Sequence, residues 1–255
     1  MTPTLLDNLD TAQARIRAAE LDAQRPPGGV RLLPVTKSVD AGRTAELIAL
    51  LRRQDQGVAL AENRIPALEA KAAELQSQGI GPIEWHFVGH IQRNKARRVL
   101  RLCKVIHSVD SLRLLESLQR QAEAEDSQHE IFLQVALTGE AEKDGMDEAE
   151  LLRCFEAVAQ MDRLALAGLM AMGARPDERP GSRSRQRAIF ARAAALAHAL
   201  HRQDGSAFVR GQAELSLGMS DDLELAIAAG SNWVRVGGAL FKGLGDPRPD
   251  HDKRS

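Results

Sequence analysis

Short apolar runs alternate with helix-patterned stretches along the whole chain, and no other feature limits so tightly what the sequence can fold into. The first run, Arg31-Leu32-Leu33-Pro34-Val35, follows Gly28 and Gly29 and precedes a helical pattern over 40–53. Gly57-Val58-Ala59-Leu60-Ala61 comes next, then a helix over 66–78 with Pro66 in its first turn, where a missing N–H costs nothing. A third run, 83–88, leads into a basic helix, and 105–108 leads into a helix from Asp110 through Leu118. Runs at 130–137, 164–170, 213–217 and 233–236 bring the count to eight, with helices over 147–160, up to Arg202 and over 221–229 between them. An opening helix over 5–21 precedes the series. One helix per crossover, repeated at this spacing, predicts an α/β fold: a single (β/α)8 TIM-like barrel rather than an open sheet. No linker or composition break divides residues 1–255, and 244–255 reads as a flexible tail.

Composition matters mainly for what it excludes. The formal net charge is −1, so no global field draws in nucleic acid or an anionic membrane. Five arginines fall within 175–187, but no aromatic residues are interleaved for stacking on bases, so the stretch reads as a solvated loop. No apolar run is long enough to span a bilayer, and Asp7 and Asp10 interrupt any signal-peptide core. Cys103 and Cys154 lie in apolar patterns without metal-ligand spacing, which reads as buried free thiols in a reducing compartment, and a cytoplasmic protein is expected. The sequence has no tyrosine, so no tyrosine of its own can act as an acid or base.

The chemistry concentrates at the ends of particular strands. Lys37 stands at the carboxyl end of the first, the rim where such barrels place their reactive groups. Desolvated there, its amine would lose basicity and could attack an aldehyde to form a Schiff base. In the last two units, Leu215-Ser216-Leu217-Gly218-Met219-Ser220-Asp221-Asp222 supplies hydroxyls and a glycine before a helix, and Val234-Arg235-Val236-Gly237-Gly238 supplies a second backbone cradle. These are the positions where (β/α)8 barrels hold phosphate. A lysine for an aldehyde and a cradle for a phosphate together describe pyridoxal phosphate, and Arg235 could then meet the pyridine nitrogen. His86 and His90 are four apart, but Phe87 and Gly89 break the metal-binding helical pattern. No metal is expected, and His86 is assigned instead to hydrogen bonding in the barrel mouth, within the cofactor-binding set.

On these residues the sequence resembles the pyridoxal phosphate homeostasis protein family, single-barrel relatives of the alanine racemase N-terminal domain. The motifs are Val35-Thr36-Lys37, Ala61-Glu62-Asn63-Arg64, Trp85-His86-Phe87-Val88-Gly89-His90-Ile91-Gln92-Arg93-Asn94-Lys95, Ser108-Val109-Asp110, Gly168-Leu169-Met170 and the stretch 215–243. The resemblance implies that Lys37 carries the Schiff base, that Arg235 faces the pyridine nitrogen, and that Asn63 lies near the ring. It implies further that Ser216, Ser220, Gly237 and Gly238 hold the phosphate. Thr36, Ala61 and Gly238 depart from the family's usual serine, glycine and threonine or serine. The expected function is reversible holding of the cofactor for intracellular vitamin B6 homeostasis, with no catalytic residue and apo-enzymes as recipients. A monomer or weak dimer is expected. The alternatives are a pyridoxal-phosphate-dependent amino-acid racemase and a Schiff-base aldolase.

Overall fold

The computed structural model describes residues 3–55, 57–138, 145–174 and 181–244. Every apolar run becomes a strand: β1 (Arg31–Pro34), β2 (Ala59–Glu62), β3 (Glu84–Phe87), β4 (Cys103–Val109), β5 (His129–Val135), β6 (Leu164–Ala171), β7 (Glu214–Ser216) and β8 (Trp233–Val236). Between and around them lie α1 (Leu5–Asp22), α2 (Ala41–Arg53), α3 (Ile65–Ser77), α4 (Ala96–Leu100), α5 (Leu112–Ala124), α6 (Glu148–Val158), α7 (Ser182–Gln203), α8 (Leu223–Ala228) and α9 (Gly238–Phe241). The strands form one parallel sheet in the order β1-β8-β7-β6-β5-β4-β3-β2. An isolated Val35–Ala61 bridge brings its two edges together, with Thr36 N–H donating to Ala61 O at 2.9 Å. Among the described residues, the barrel is therefore joined between β1 and β2 near its carboxyl-terminal rim. At the amino-terminal end a cavity of about 1030 Å³ lies beside Leu32, Val58, Ile83 and Glu84, under α1.

Strand alternation sorts the core into two layers. Leu33, Val35, Ala61, Val105, Phe132, Ala167, Met170 and Trp233 fill the barrel interior. A larger set, including Leu47, Leu60, Phe87, Leu118, Leu169 and Phe190, packs between strands and helices. Truncating one of these to alanine costs about 2–5 kcal/mol. Cys103 and Cys154 are buried and free, and desolvation raises both thiols, Cys154 to about 12.

α1 begins with a capping box between Thr4 and Asp7. Its Asn8 side chain donates to Leu240 O and Lys242 O, and its Arg15 pairs with Glu224. The opening helix thus fastens the last two units of the barrel. Several element boundaries differ from the sequence expectation by a few residues, three of them at helix starts. Ser111, not Asp110, caps α5, because the Asp110 carboxylate is engaged by His90 and by the Ser111 hydroxyl, and the helix runs on to Ala124. α8 starts only at Leu223, because the Asp222 carboxylate turns back to accept from Met219 N–H. α7 starts at Ser182, inside the stretch expected to be irregular. Residues 175–180 of the arginine-bearing loop and 245–255 of the expected tail lie outside the described residues.

Candidate functional site

β8 aims Trp233 and Arg235 into the barrel, and Val234 and Val236 outward into the helix layer. Arg235 is only 4% exposed. Its Nη1 donates to Ser216 O at 2.6 Å and Ser216 Oγ at 2.9 Å; Nη2 donates to Ala171 O at 3.2 Å and Met172 Sδ at 3.4 Å. All four acceptors are neutral, and Nε makes no hydrogen bond to any described residue. Burial lowers the guanidinium to about 10, against the pull of Asp222, so it stays protonated at neutral pH. The result is a fixed cation with a donor to spare, held at the upper ends of β6, β7 and β8.

The two small-residue loops meet beside it. Gly218 adopts φ +83°, and a Cβ there would fall 2.5 Å from the Ala226 Cβ, so only glycine lets the loop after β7 turn this closely over α8. Arg235 N–H donates to Gly218 O at 3.0 Å, and Ser220 Oγ accepts from Ala239 N–H at 3.3 Å, which ties this loop to the start of α9. A Cβ on Gly237 would lie 2.9 Å from Val35 O. Gly238, by contrast, is exposed, and a Cβ there meets nothing within 4 Å.

β1 adjoins β8 through the Pro34–Val236 register, so the Lys37 turn follows directly beside the Gly237 turn. Lys37 itself is exposed, not desolvated as the sequence reading expected. Thr36 is fully buried: its hydroxyl donates to Glu62 Oε1 at 2.9 Å, and its carbonyl accepts from Lys71 Nζ at 2.7 Å and from Val39 N–H at 3.1 Å. Lys71 also pairs with Glu62 inside the protein, and desolvation lowers its amine while Glu62 pulls the other way. Thr36 thus faces the helix layer with Glu62 and with Lys71 of α3, and Lys37 follows it on an exposed turn at the rim.

At the end of β2, the Oδ1 of Asn63 is buried and has no hydrogen-bond partner among the described residues. A buried carbonyl oxygen left unsatisfied costs about 1–3 kcal/mol unless something completes it. Gly89 is what lets the chain after β3 cross this residue, since a Cβ there would lie 2.1 Å from Asn63 O.

His86 does not reach the mouth. It points to the lower interior, fully buried, with Nε2 at 3.0 Å from Glu84 Oε1 and its ring centroid 5.1 Å from that of Trp233. β3 alternation puts Glu84 and His86 on one face, and Glu84 belongs to the amino-terminal end. His90 is exposed beside Asp110, so the two histidines do not converge on a common point. Ser216 also differs from its assigned place. Its oxygen lies against Arg235 and His107 inside the barrel rather than with the Ser220, Gly237 and Gly238 loops.

The residues present fit pyridoxal phosphate in three respects. Asn63 carries an orphaned acceptor at the rim, the Gly238 turn leaves open space for a bulky anion, and Arg235 is a fixed donor at the rim ends of β6–β8. Sequence reasoning missed Glu62 with Lys71, and His107. Strand parity could have found the last, since His107 shares its face of β4 with Val105, which lines the interior.

A parallel eight-stranded barrel with these rim residues defines the class: a barrel of the alanine racemase N-terminal type. Residues 8–244 match the family model described as Alanine racemase, N-terminal domain. Within that class the chain belongs to the pyridoxal phosphate homeostasis protein family. It is 38% identical over 238 residues to the protein of that name from Pseudomonas aeruginosa, covering 93% of this chain and 95% of the relative. It is 36% identical over 236 residues to the Escherichia coli protein of that name, covering 92% and 94%. The solved structure of PipY from Synechococcus elongatus with pyridoxal phosphate bound superposes with a TM-score of 0.73 at 34% identity, covering 88% of this chain and 98% of that one. An alanine racemase from Clostridium difficile shares the fold alone, at 16% identity and TM-score 0.68 over 56% of its length.

Proposed function

We propose that this chain binds pyridoxal 5'-phosphate reversibly and serves vitamin B6 homeostasis in the cell, holding the cofactor without turning over a substrate. The observation that carries the reading is Arg235: a buried, protonated guanidinium with an uncommitted Nε–H, beside a lysine-bearing turn and a glycine turn with room for a phosphate. Lys37 would hold the cofactor covalently through its amine, Asn63 Oδ1 would gain a partner, and the turns of Ser220, Gly237 and Gly238 would hold the phosphate through backbone N–H groups and one hydroxyl. Ser216 is reassigned here from phosphate holding to fixing Arg235. When bound, pyridoxal phosphate supplies an electron sink whose strength depends on protonation of its ring nitrogen. A guanidinium donor facing that nitrogen disfavours its protonation, so Arg235 holds the ring in place while keeping the sink weak.

Racemisation needs proton donors and acceptors on both faces of a substrate. Lys37 could serve one, and no tyrosine is present in these 255 residues to serve the other. The test is to load the protein, confirm a violet absorption band, and incubate it with L-alanine in deuterated water. Very slow label uptake without net D-alanine is expected. Turnover in the usual enzyme range of about 1–1000 per second, abolished by Lys37→Ala, would replace the carrier reading with the racemase one.

A further inference from the structure

Arg235 and Ser216 form the upper end of a hydrogen-bonded row that crosses the barrel interior. Ser216 Oγ lies 2.9 Å from His107 Nδ1, His107 Nε2 lies 2.8 Å from His86 Nδ1, and His86 Nε2 lies 3.0 Å from Glu84 Oε1. Ser216, His107 and His86 are fully buried, whereas the Glu84 side chain is 51% exposed at the amino-terminal cavity. The row therefore connects the cofactor rim to solvent at the opposite end of the barrel. Both rings are braced: His107 stacks on Phe132 with centroids 4.4 Å apart, and His86 lies against Trp233.

The two ends of this row are chemically one-way. A guanidinium only donates, and an ionised carboxylate only accepts. The hydrogen bond from His86 holds Glu84 below the ordinary carboxylate range, so it is ionised at neutral pH. Proton positions then follow in order. Ser216 Oγ accepts from Arg235 Nη1, so its own hydrogen goes to its other neighbour among the described residues, His107 Nδ1. Burial keeps His107 neutral, so its single hydrogen sits on Nε2 and points at His86 Nδ1. The hydrogen of His86 then sits on Nε2, toward Glu84. Reversing any link would set two hydrogens face to face or leave the Ser216 hydroxyl without an acceptor.

We propose that Glu84, His86 and His107 are positioning residues for Arg235. Together they form a unidirectional row that fixes the Ser216 hydroxyl so that its lone pair always faces the guanidinium. Arg235 is thereby held in one orientation toward the cofactor ring by a carboxylate at the far end of the barrel. The proposal rests on the reading that Arg235 meets that ring, but the row itself is testable without the cofactor.

The experiment is two-bond proton–nitrogen correlation of the histidine side chains in the cofactor-free, 15N-labelled protein at pH 7. His86 and His107 are both expected as neutral Nε2–H tautomers. An Nδ1–H tautomer, or a doubly protonated ring, at either position would overturn the proposal. Glu84→Gln keeps an acceptor and should leave both tautomers and cofactor retention unchanged. Glu84→Lys puts a donor there. It should reverse the His86 and His107 tautomers together, leave the Ser216 hydroxyl without its acceptor, and weaken pyridoxal phosphate retention by roughly threefold to tenfold, the share of one polarised hydrogen bond. Equal retention by the two variants would overturn the positioning role even if the row exists. A wild-type protein with the expected tautomers that binds no pyridoxal phosphate would instead overturn the functional reading, and with it the purpose assigned to the row.

Discussion

The two ends of the site are built in opposite ways. At β8, Arg235 is almost wholly buried and spends two nitrogens on four acceptors from β6, β7 and the residue after β6. At β1, Lys37 sits exposed on a turn, and only the residue before it, Thr36, is locked into the protein by Glu62 and Lys71. The difference separates recognition from capture. The group proposed to orient the ring is fixed before the ligand arrives, which lowers the ordering cost of binding. The group that would form the bond remains in water, where attachment can be undone. A protein that keeps its cofactor for catalysis gains from burying both; one that exchanges it gains from this asymmetry.

Four changes would break or sharpen the contrast. The largest effect is expected from Lys37→Ala: complete loss of the violet band on addition of pyridoxal phosphate. Because the residue is exposed, unfolding stability should move by no more than about 0.5 kcal/mol, measured by urea titration. Arg235→Met should behave in the opposite sense, with stability falling by about 3–5 kcal/mol in the same titration. Its removal leaves the buried Ser216 and Ala171 carbonyls without their donor and disturbs the core. A stability loss at Lys37 equal to that at Arg235 would erase the distinction between the two ends.

Gly238→Thr probes the phosphate side. A hydroxyl added in open space could gain a charged hydrogen bond of about 1.5–3 kcal/mol, with water already supplying part of it. Retention on dialysis should tighten by at most about tenfold to a hundredfold; equal or faster loss would mean that no hydroxyl was wanting. The smallest effect concerns pH. Burial holds His107 well below its ordinary value of 6.5. As pH falls below that value the unfolded chain takes up a proton that the folded ring refuses, so stability drops by about 1 kcal/mol per pH unit. His129, also lowered chiefly by burial, adds to the slope. His107→Asn should flatten the dependence between pH 6.5 and 5; an unchanged slope would mean that the ring is protonated in the folded state.

The fold was legible because apolar runs and helical stretches alternate at a spacing that only parallel strands with crossover helices satisfy, and all eight runs form strands of one sheet. The rim was legible where chemistry requires particular residue types, as at Arg235 and the Gly237–Gly238 turn. It was less so where a side chain had two places to go. Lys37 was expected desolvated, but it sits exposed on the turn that follows the buried Thr36. His86 was expected at the mouth, but strand parity places it with Glu84 at the lower end. Ser216 was expected on the phosphate, but Arg235 and His107 claim its oxygen. For His86 and Ser216 the sequence names the residue and its strand, and partners distant in the chain receive the side chain.

The most direct test is to mix the purified protein with pyridoxal phosphate, reduce with borohydride, digest, and map the adduct by peptide mass. A single pyridoxyl adduct on Lys37, absent from Lys37→Ala and lost when the sample is dialysed against a cofactor-accepting apo-enzyme before reduction, is the expected result. An adduct on Lys95 or Lys242 in place of Lys37, or one on Lys37 that no acceptor can remove, would contradict an exposed and reversible hold beside a fixed arginine.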